Sequence, residues 1–406
     1  MDKKLFGRRV KRLEDPKLLR GRGLFIDDIN LPNISNAAFV RSPFPHARLK
    51  SIDKTAAEGM PGVIVVYTYA DLKPYLTAER LPVEFPGGVP NAENAGPVIM
   101  VFDETMYFGE CVAIVIAETR HIAEDASVLV DIDWEPLPAV GNCKKALEPG
   151  SPLASVNTDT NLMMEMVQEY GTVDDIFKTA PNIFHEEIWQ HRGSGHPIEC
   201  RGAVGRYDPI LDVTTLWTST QMPNLVQGFI IKLMGANENQ VRVITPDVGG
   251  GFGPKFVFYS EELVIALSSK LCRRPVKWVE DRQEHFVSAV QERDQYWNAE
   301  IAVDDDGIIL GVRGSLIHDH GAYTIQGITL PYNAATCIPG PYKVPNYRMV
   351  QKLVFTNMMP CAPVRGASHP QGTFVMERLM DRAARELKID RAEIRLKNMI
   401  PGKEMP

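Results

Sequence analysis

The stretch "QVRVITPDVGGGFG", residues 240–253, followed by "YSEELVIALSSKL", residues 259–271, reads as a strand running into a bare loop and then a helix. In "DVGGGFGPK", residues 247–255, four glycines fall within five positions and Phe252 stands among them. Three glycines in a row leave the backbone almost free of steric restriction, so it can adopt positive φ and approach a partner closely. Two familiar phosphate motifs fail on spacing. A dinucleotide fingerprint starting at Gly249 needs glycine where Pro254 stands, and a P-loop needs Gly-Lys where Pro254 and Lys255 stand. What is left is another anionic or bulky ligand, or a plain bend between strands.

Around the loop, "EEIWQHRGSGHPIECRGAVGRYD" and "VTTLWTSTQMP" read as strands, "NLVQGFIIKLMG" as a helix, "RPVKWVEDR" as a strand, and 300–356 as long antiparallel strands. The last long helix opens on Ser368-x-x-Gln371, the pattern of a capping box, with Pro370 in its first turn. Val375, Leu379, Ala383 and Leu387 recur every four residues along one apolar face. Nearer the start, "GVIVVYTYADL" reads as strand into helix, and "RHIAEDASVLVDIDWEPL" as helix into strand. "GECVAIVIAET" has the continuous apolar run of a strand buried on both faces. "LEPGSPLASVNTDTN" is the best linker candidate. The expectation is an α+β chain with a first α/β domain over 1–150, a linker over 151–164 and a second domain over 165–406.

The chain has 406 residues, 44% hydrophobic and 23% charged, with a formal net charge of −7. That balance leaves no basic surplus for nucleic acid. The basic start, "MDKKLFGRRVKRLEDPKLLRGRG", lacks the apolar stretch of a signal peptide, and no run is long and apolar enough to span a membrane. Six cysteines (111, 143, 200, 272, 337, 361) are scattered without zinc or iron–sulfur spacing, which fits a reduced, cytoplasmic protein. Any iron–sulfur cluster working with this chain is expected on another one.

Three loops lie where strands end or helices begin. Gln221 in "TSTQMPN" offers an amide donor and acceptor to a ligand, or serves as an ordinary turn residue. The backbone N–H groups of the glycine loop can line an anion or an oxo group as a nest. In "APVRGASHPQ", Arg365 stands just ahead of the helix and Gly366 permits a tight approach; a surface arginine is the plain alternative.

Taken together and in order, these segments resemble one family: the large, molybdenum-binding subunits of the xanthine dehydrogenase, aldehyde oxidase and aerobic CO dehydrogenase group. "GRGLFIDDINLPNISNAAFVRSPFPHARL" and "YFGECVAIVIAET" are similar to its N-terminal hammerhead α/β domain. "GHPIEC", "TSTQMPN", "ITPDVGGGFGPK", "RPVKWVEDR", "HDHGAY", "GPYKVPN" and "VRGASHPQGTFVMERLMDRAARELKIDRAEIRLKN" resemble successive marks of its first cofactor-binding domain. The resemblance implies that Gly250, Gly251, Phe252 and Gly253 lie against a molybdenum–molybdopterin cofactor, with the cytosine dinucleotide form among those the family uses. It implies that Gln221 hydrogen-bonds an oxo ligand and that Arg365 belongs to the same surroundings. None of these ligates the metal, which the pterin dithiolene holds. A branched residue at Gly251 is expected to fail twice, by touching the cofactor and by resisting positive φ.

The chain also departs from the family pattern. Purine-oxidising members carry a glutamate where Phe256 stands, an aromatic where Ala367 stands and, in a looser alignment, an arginine where Asn333 stands. Xanthine is therefore not the expected substrate, and Phe256, Asn333 and Ala367 are expected around the pocket that replaces its site. CO dehydrogenases place a copper-binding cysteine where Gly366 stands, which disfavours CO. The resemblance also implies a second cofactor-binding domain that supplies the general-base glutamate. Its absence here is expected to mean a molybdenum subunit split over two chains, as in bacterial nicotinate dehydrogenases, with a fragment as the alternative. The expected function is hydroxylation of an N-heteroaromatic or aldehyde carbon with water-derived oxygen. The expected partners are the second molybdenum half, a [2Fe-2S] subunit, an FAD subunit and a small-molecule substrate. The alternatives are an aldehyde or CO-type oxidising homologue and a truncated, non-catalytic scaffold.

Overall fold

The computed structural model describes residues 5–83 and 95–404. Its backbone is a seven-stranded sheet in the order Val241–Ile244, Val213–Thr218, Gly202–Asp208, Val276–Val279, Ser35–Arg41, Cys111–Ala117, Val63–Thr68. The first four strands come from the second half of the chain and the last three from the first. They join where Ser35 and Asn36 pair in parallel with Val276 and Lys277. Cys111–Ala117 is buried at every residue between two antiparallel neighbours, which explains its unbroken apolar run. The helix Ser260–Cys272 packs on this sheet, and Glu261 through Ser269 are all buried. Burial on all sides explains why this helix shows no amphipathic stripe.

A second sheet has five strands, in the order Leu162–Tyr170, Tyr347–Phe355, Ile309–Gly321, Gln295–Val303, Asn182–Gln190. The helix His369–Leu387 lies on it, with Val375, Leu379 and Ala383 buried as the periodicity requires. A three-stranded sheet of Glu104–Thr105, Ala47–Asp53 and Asp131–Pro136 completes the strands among the described residues. No helix among them is long and apolar enough to cross a membrane. All six cysteines are free thiols.

Two local expectations are corrected. The strands within 300–356 are not all antiparallel: Ile309–Gly321 and Tyr347–Phe355 run parallel, because the helix Thr329–Cys337 carries the chain back between them. The capping box also fails. Gly366, Ala367 and Ser368 all take positive φ (107°, 45° and 77°), so Ser368 is left-handed instead of extended. Its hydroxyl cannot reach the first turn, and Ser368 Oγ and both polar atoms of the Gln371 amide are buried without partners among the described residues.

Candidate functional site

Val213–Thr218 and Val241–Ile244 are parallel neighbours, so their C-terminal ends deliver Gln221 and the glycine loop to the same edge of the large sheet. Gln221 N donates to Lys255 O at 2.8 Å, and its side-chain Oε1 accepts from Gly253 N at 3.1 Å. From the other side, Arg365 N donates to Phe252 O at 2.7 Å. Three loops far apart in sequence thus meet around one turn of backbone.

Positive φ falls on Gly250 (102°), Phe252 (56°) and Gly253 (117°). A non-glycine residue in that region costs about 1–2 kcal/mol, so the contacts around Phe252 must hold it there. The expectation of positive φ at Gly251 is corrected. Gly251 is required for space, because a Cβ there would overlap the Gln221 amide. At Gly253 a Cβ would overlap Pro363 O and come within 2.6 Å of Val364 Cα.

The loop leaves donors unused. The N–H groups of Gly250, Gly251 and Phe252 make no hydrogen bond with any described residue, and neither do Gln221 Nε2 nor the Arg365 guanidinium. Unspent backbone donors next to a positive-φ turn form a concave anion site. An oxo- and phosphate-bearing molybdopterin fits such a donor set. Gln221, Arg365 and Phe252 are exposed on this face.

Sequence reading missed the clamp behind the loop. Glu199 Oε2 accepts from Gly249 N at 2.7 Å, Ser219 Oγ at 2.7 Å and Lys255 Nζ at 2.8 Å, while Gly249 O accepts from Glu199 N at 3.2 Å. Lys255 is fully buried, and burial lowers its pKa against the pull of Glu199. A carboxylate fifty residues ahead of a glycine loop carries no spacing signal, so only the fold reveals the pairing. Replacing Glu199 with alanine strands a buried ammonium and a loop N–H, and should lower unfolding stability by about 1–3 kcal/mol. Urea denaturation at neutral pH measures this, and an unchanged midpoint would mean that the clamp is slack.

Beside the loop, Phe256 and Pro363 open onto a cavity of about 240 Å³ whose other walls include Val83, Ile325, Gln326 and Ile328. No charged side chain among the described residues lines it. Neither Asn333 nor Ala367 is among its lining residues. Asn333 sits one helical turn beyond Thr329, and Ala367 is held in the turn after Arg365 by its N–H to Val364 O at 2.8 Å. Of the three expected pocket residues, Phe256 alone lines this cavity.

Among the described residues one grouping has metal-ligand spacing, Cys200 with Glu280 and His285. Its place for a cation is already filled. Glu280 accepts from Arg201 Nε at 2.9 Å, from Ser288 Oγ at 2.8 Å and bonds His285 Nδ1 at 2.8 Å, while burial pushes the Cys200 thiol up. It is an ion-pair network.

Comparison with known proteins agrees with this geometry. Residues 155–399 match the molybdopterin cofactor-binding domain family, and residues 20–138 match the aldehyde oxidase and xanthine dehydrogenase a/b hammerhead domain. The chain is 36% identical over 400 residues to the nicotine 6-hydroxylase large subunit of Paenarthrobacter nicotinovorans, covering 98% of this chain and 48% of that protein. It is 28% identical over 402 residues to the nicotinate dehydrogenase large molybdopterin subunit of Eubacterium barkeri, covering 98% and 90%. Among solved structures, quinoline 2-oxidoreductase from Pseudomonas putida 86 superposes with a TM-score of 0.93 at 34% identity, covering 100% of this chain and 51% of that one. Apart from the nicotinate enzyme, the chain spans about half the length of these relatives. The chain belongs to the molybdopterin cofactor-binding domain family, with an aldehyde oxidase and xanthine dehydrogenase hammerhead domain ahead of that domain.

Proposed function

We propose that this chain is one wall of a molybdenum hydroxylase active site that oxidises a carbon of a neutral N-heteroaromatic ring. The observation that carries the reading is the set of unspent donors at Gly250, Gly251, Phe252, Gln221 and Arg365 around a single turn. When bound, the molybdenum–molybdopterin group supplies the two-electron redox chemistry, with the added oxygen coming from water. The chain's own part is to hold and polarise. The loop N–H groups grip anionic oxygens, Gln221 Nε2 donates to an oxygen on which charge grows, and Arg365 balances negative charge beside Phe252. The cavity at Phe256 receives the ring, and its walls among the described residues carry no cation for a carboxylate.

The general-base glutamate and the facing wall lie, in this proposal, on a second molybdenum half, as the relatives of twice this length suggest. Exposed apolar side chains flank the loop, with Ile198 97% and Phe286 50% accessible, which suits a surface awaiting cover. A cytosine dinucleotide form of the pterin, a [2Fe-2S] subunit and an FAD subunit complete the proposed cytoplasmic assembly, along with the small-molecule substrate. We likewise retain the division into domains over 1–150 and 165–406 with a linker over 151–164. Metal and nucleotide analysis of the native complex tests this. One molybdenum per chain and turnover only when the second half is present is the expected result. Full turnover by this chain as an isolated monomer would overturn the shared site.

Gln221 allows a finer test, because its two side-chain atoms have different jobs. Gln221→Glu keeps the oxygen that accepts from Gly253 N and removes the outward amide donor. Losing one preorganised donor in a buried site costs about 3 kcal/mol, or roughly a hundredfold in rate. Turnover per bound molybdenum in the assembled complex should fall by at least that factor, and the added carboxylate beside anionic oxygens should also weaken cofactor retention. Full activity would show that the amide does not meet the reacting group.

A further inference from the structure

A cavity larger than the one at Phe256 lies away from the glycine loop. It holds about 520 Å³ beneath residues 154–160, between that segment and Met106 and Ala322, which follow the strands Glu104–Thr105 and Ile309–Gly321. It is separated from the Phe256 cavity by the backbone contact of Thr324 N with Ala95 O at 2.6 Å: Ala95 and Ala322 line this cavity, and Thr324 lines the other.

Its outer wall is built from irregular chain held by buried polar side chains. Asn161 Oδ1 accepts from Ala154 N at 2.8 Å while its amide donates to Pro152 O at 2.8 Å and Ala146 O at 3.0 Å. Asn357 Nδ2 donates to Ala154 O at 2.8 Å and to Met106 O at 3.1 Å. The Glu104 carboxylate accepts from Val156 N at 2.8 Å and Ser155 Oγ at 2.9 Å. Asn161, Asn357 and Glu104 are all buried. A loop pinned this way keeps its cavity open instead of collapsing into it, and the volume lies in the range of small-molecule sites.

The lining has two characters. Met106, Met163, Leu162 and Phe355 make an apolar floor. Arg80 supplies a cation: Nη1 donates to Gly96 O at 2.9 Å, the guanidinium carbon lies 5.9 Å from the Tyr323 ring centre, and no carboxylate among the described residues lies within ion-pairing distance. The buried carboxylate that feels its charge, Glu110, is engaged by Thr105 Oγ1 at 3.0 Å and Met106 N at 2.7 Å. Asp159, the other charged lining residue, is exposed and makes no ion pair with Arg80.

We propose that this cavity is a second binding site, for a small aromatic carboxylate. The ring lies against the two methionines and Phe355, where thioether–aromatic contacts favour it, and the carboxylate meets the Arg80 guanidinium, which has no carboxylate partner among the described residues. The site needs no cofactor, so it stands or falls separately from the hydroxylase reading.

The probes are benzoate and its neutral isostere benzamide, titrated by calorimetry and by ligand-observed NMR into the full chain, alone or within its native complex. Benzoate should bind at least tenfold more tightly than benzamide. Arg80→Gln should remove that preference, Arg80→Lys should keep most of it, and Thr160→Trp at the exposed rim should weaken both probes. Melting curves check that each variant is folded, and if Arg80→Gln is not, the benzoate–benzamide contrast and Thr160→Trp decide. Equal binding of the two probes, no binding at millimolar concentration, or an Arg80→Gln protein that still prefers benzoate would overturn the proposal.

Discussion

Gly251→Val should yield a folded protein that carries no molybdopterin. The new Cβ overlaps the Gln221 amide, and the two further methyls of valine add bulk at the same place. Relief comes only by pushing Gln221 off Gly253 N or by lifting the loop from its clamp on Glu199. Either movement spoils the donor set, because Gly250, Gly251, Phe252 and Gln221 Nε2 must face one ligand together. The loop lies at the sheet edge, away from the packed helix Ser260–Cys272, so the melting curve should stay close to that of the wild type. Metal analysis of the purified complex reads the first outcome and circular dichroism the second. Normal molybdenum content in a folded variant would reduce the loop to a bend.

Arg201→Met should cost far more stability than any change at the loop. Arg201 is buried and pairs with Glu280 at 2.5 Å and Glu261 at 3.4 Å, with its guanidinium carbon 3.9 Å from the Tyr259 ring centre. Arg41, from the first part of the chain, pairs with Glu261 at 2.8 Å and Glu284 at 2.6 Å, so one network spans the seam where Ser35–Arg41 joins the larger sheet. Removing one partner of a buried pair leaves uncompensated charge and costs about 3–5 kcal/mol. Chemical denaturation at neutral pH should show a loss of that size.

The network also sets a pH dependence. Burial opposes the Glu280 charge, but Arg201 and His285 overcome it and hold the carboxyl well below its ordinary range; Glu261 is lowered in the same way by Arg201 and Arg41. A depressed folded-state pKa contributes stability that is present above the unfolded value of about 4.3 and lost as pH falls through the folded value. The wild type should therefore weaken steadily on acidification below about pH 4.5, and Arg201→Met should weaken less. Glu284, which burial pushes upward, works in the opposite direction, and its effect falls at pH values above the unfolded value of about 4.3. Equal acid sensitivity in the two proteins would remove Arg201 from the account.

Much of this was legible in the residues. The strand before the glycine loop, the helix after it and the apolar face of His369–Leu387 follow from local periodicity, and local periodicity needs no neighbour to express itself. Gln221, the glycine loop and Arg365 could also be picked out one by one, because each stands where a strand ends or a helix starts. Their meeting around Phe252 could not, since it depends on parallel pairing of Val213–Thr218 with Val241–Ile244.

The same distinction accounts for what failed. Ser368-x-x-Gln371 has the letters of a capping box, but three successive left-handed residues turn the serine away. The parallel pairing of Ile309–Gly321 with Tyr347–Phe355 depends on where an intervening helix returns the chain, which neither strand encodes. Composition, periodicity and the spacing of glycines by themselves determined the α+β class, the main strands and helices, and which loops to suspect. Tertiary structure alone decided that both parts of the chain share one sheet, that Gly251 is small to admit Gln221, and that Glu199 and Lys255 brace the loop from behind. Those facts rest on contacts between residues tens to hundreds of positions apart, and such contacts leave no trace in local sequence because their energy exists only once the chain has folded.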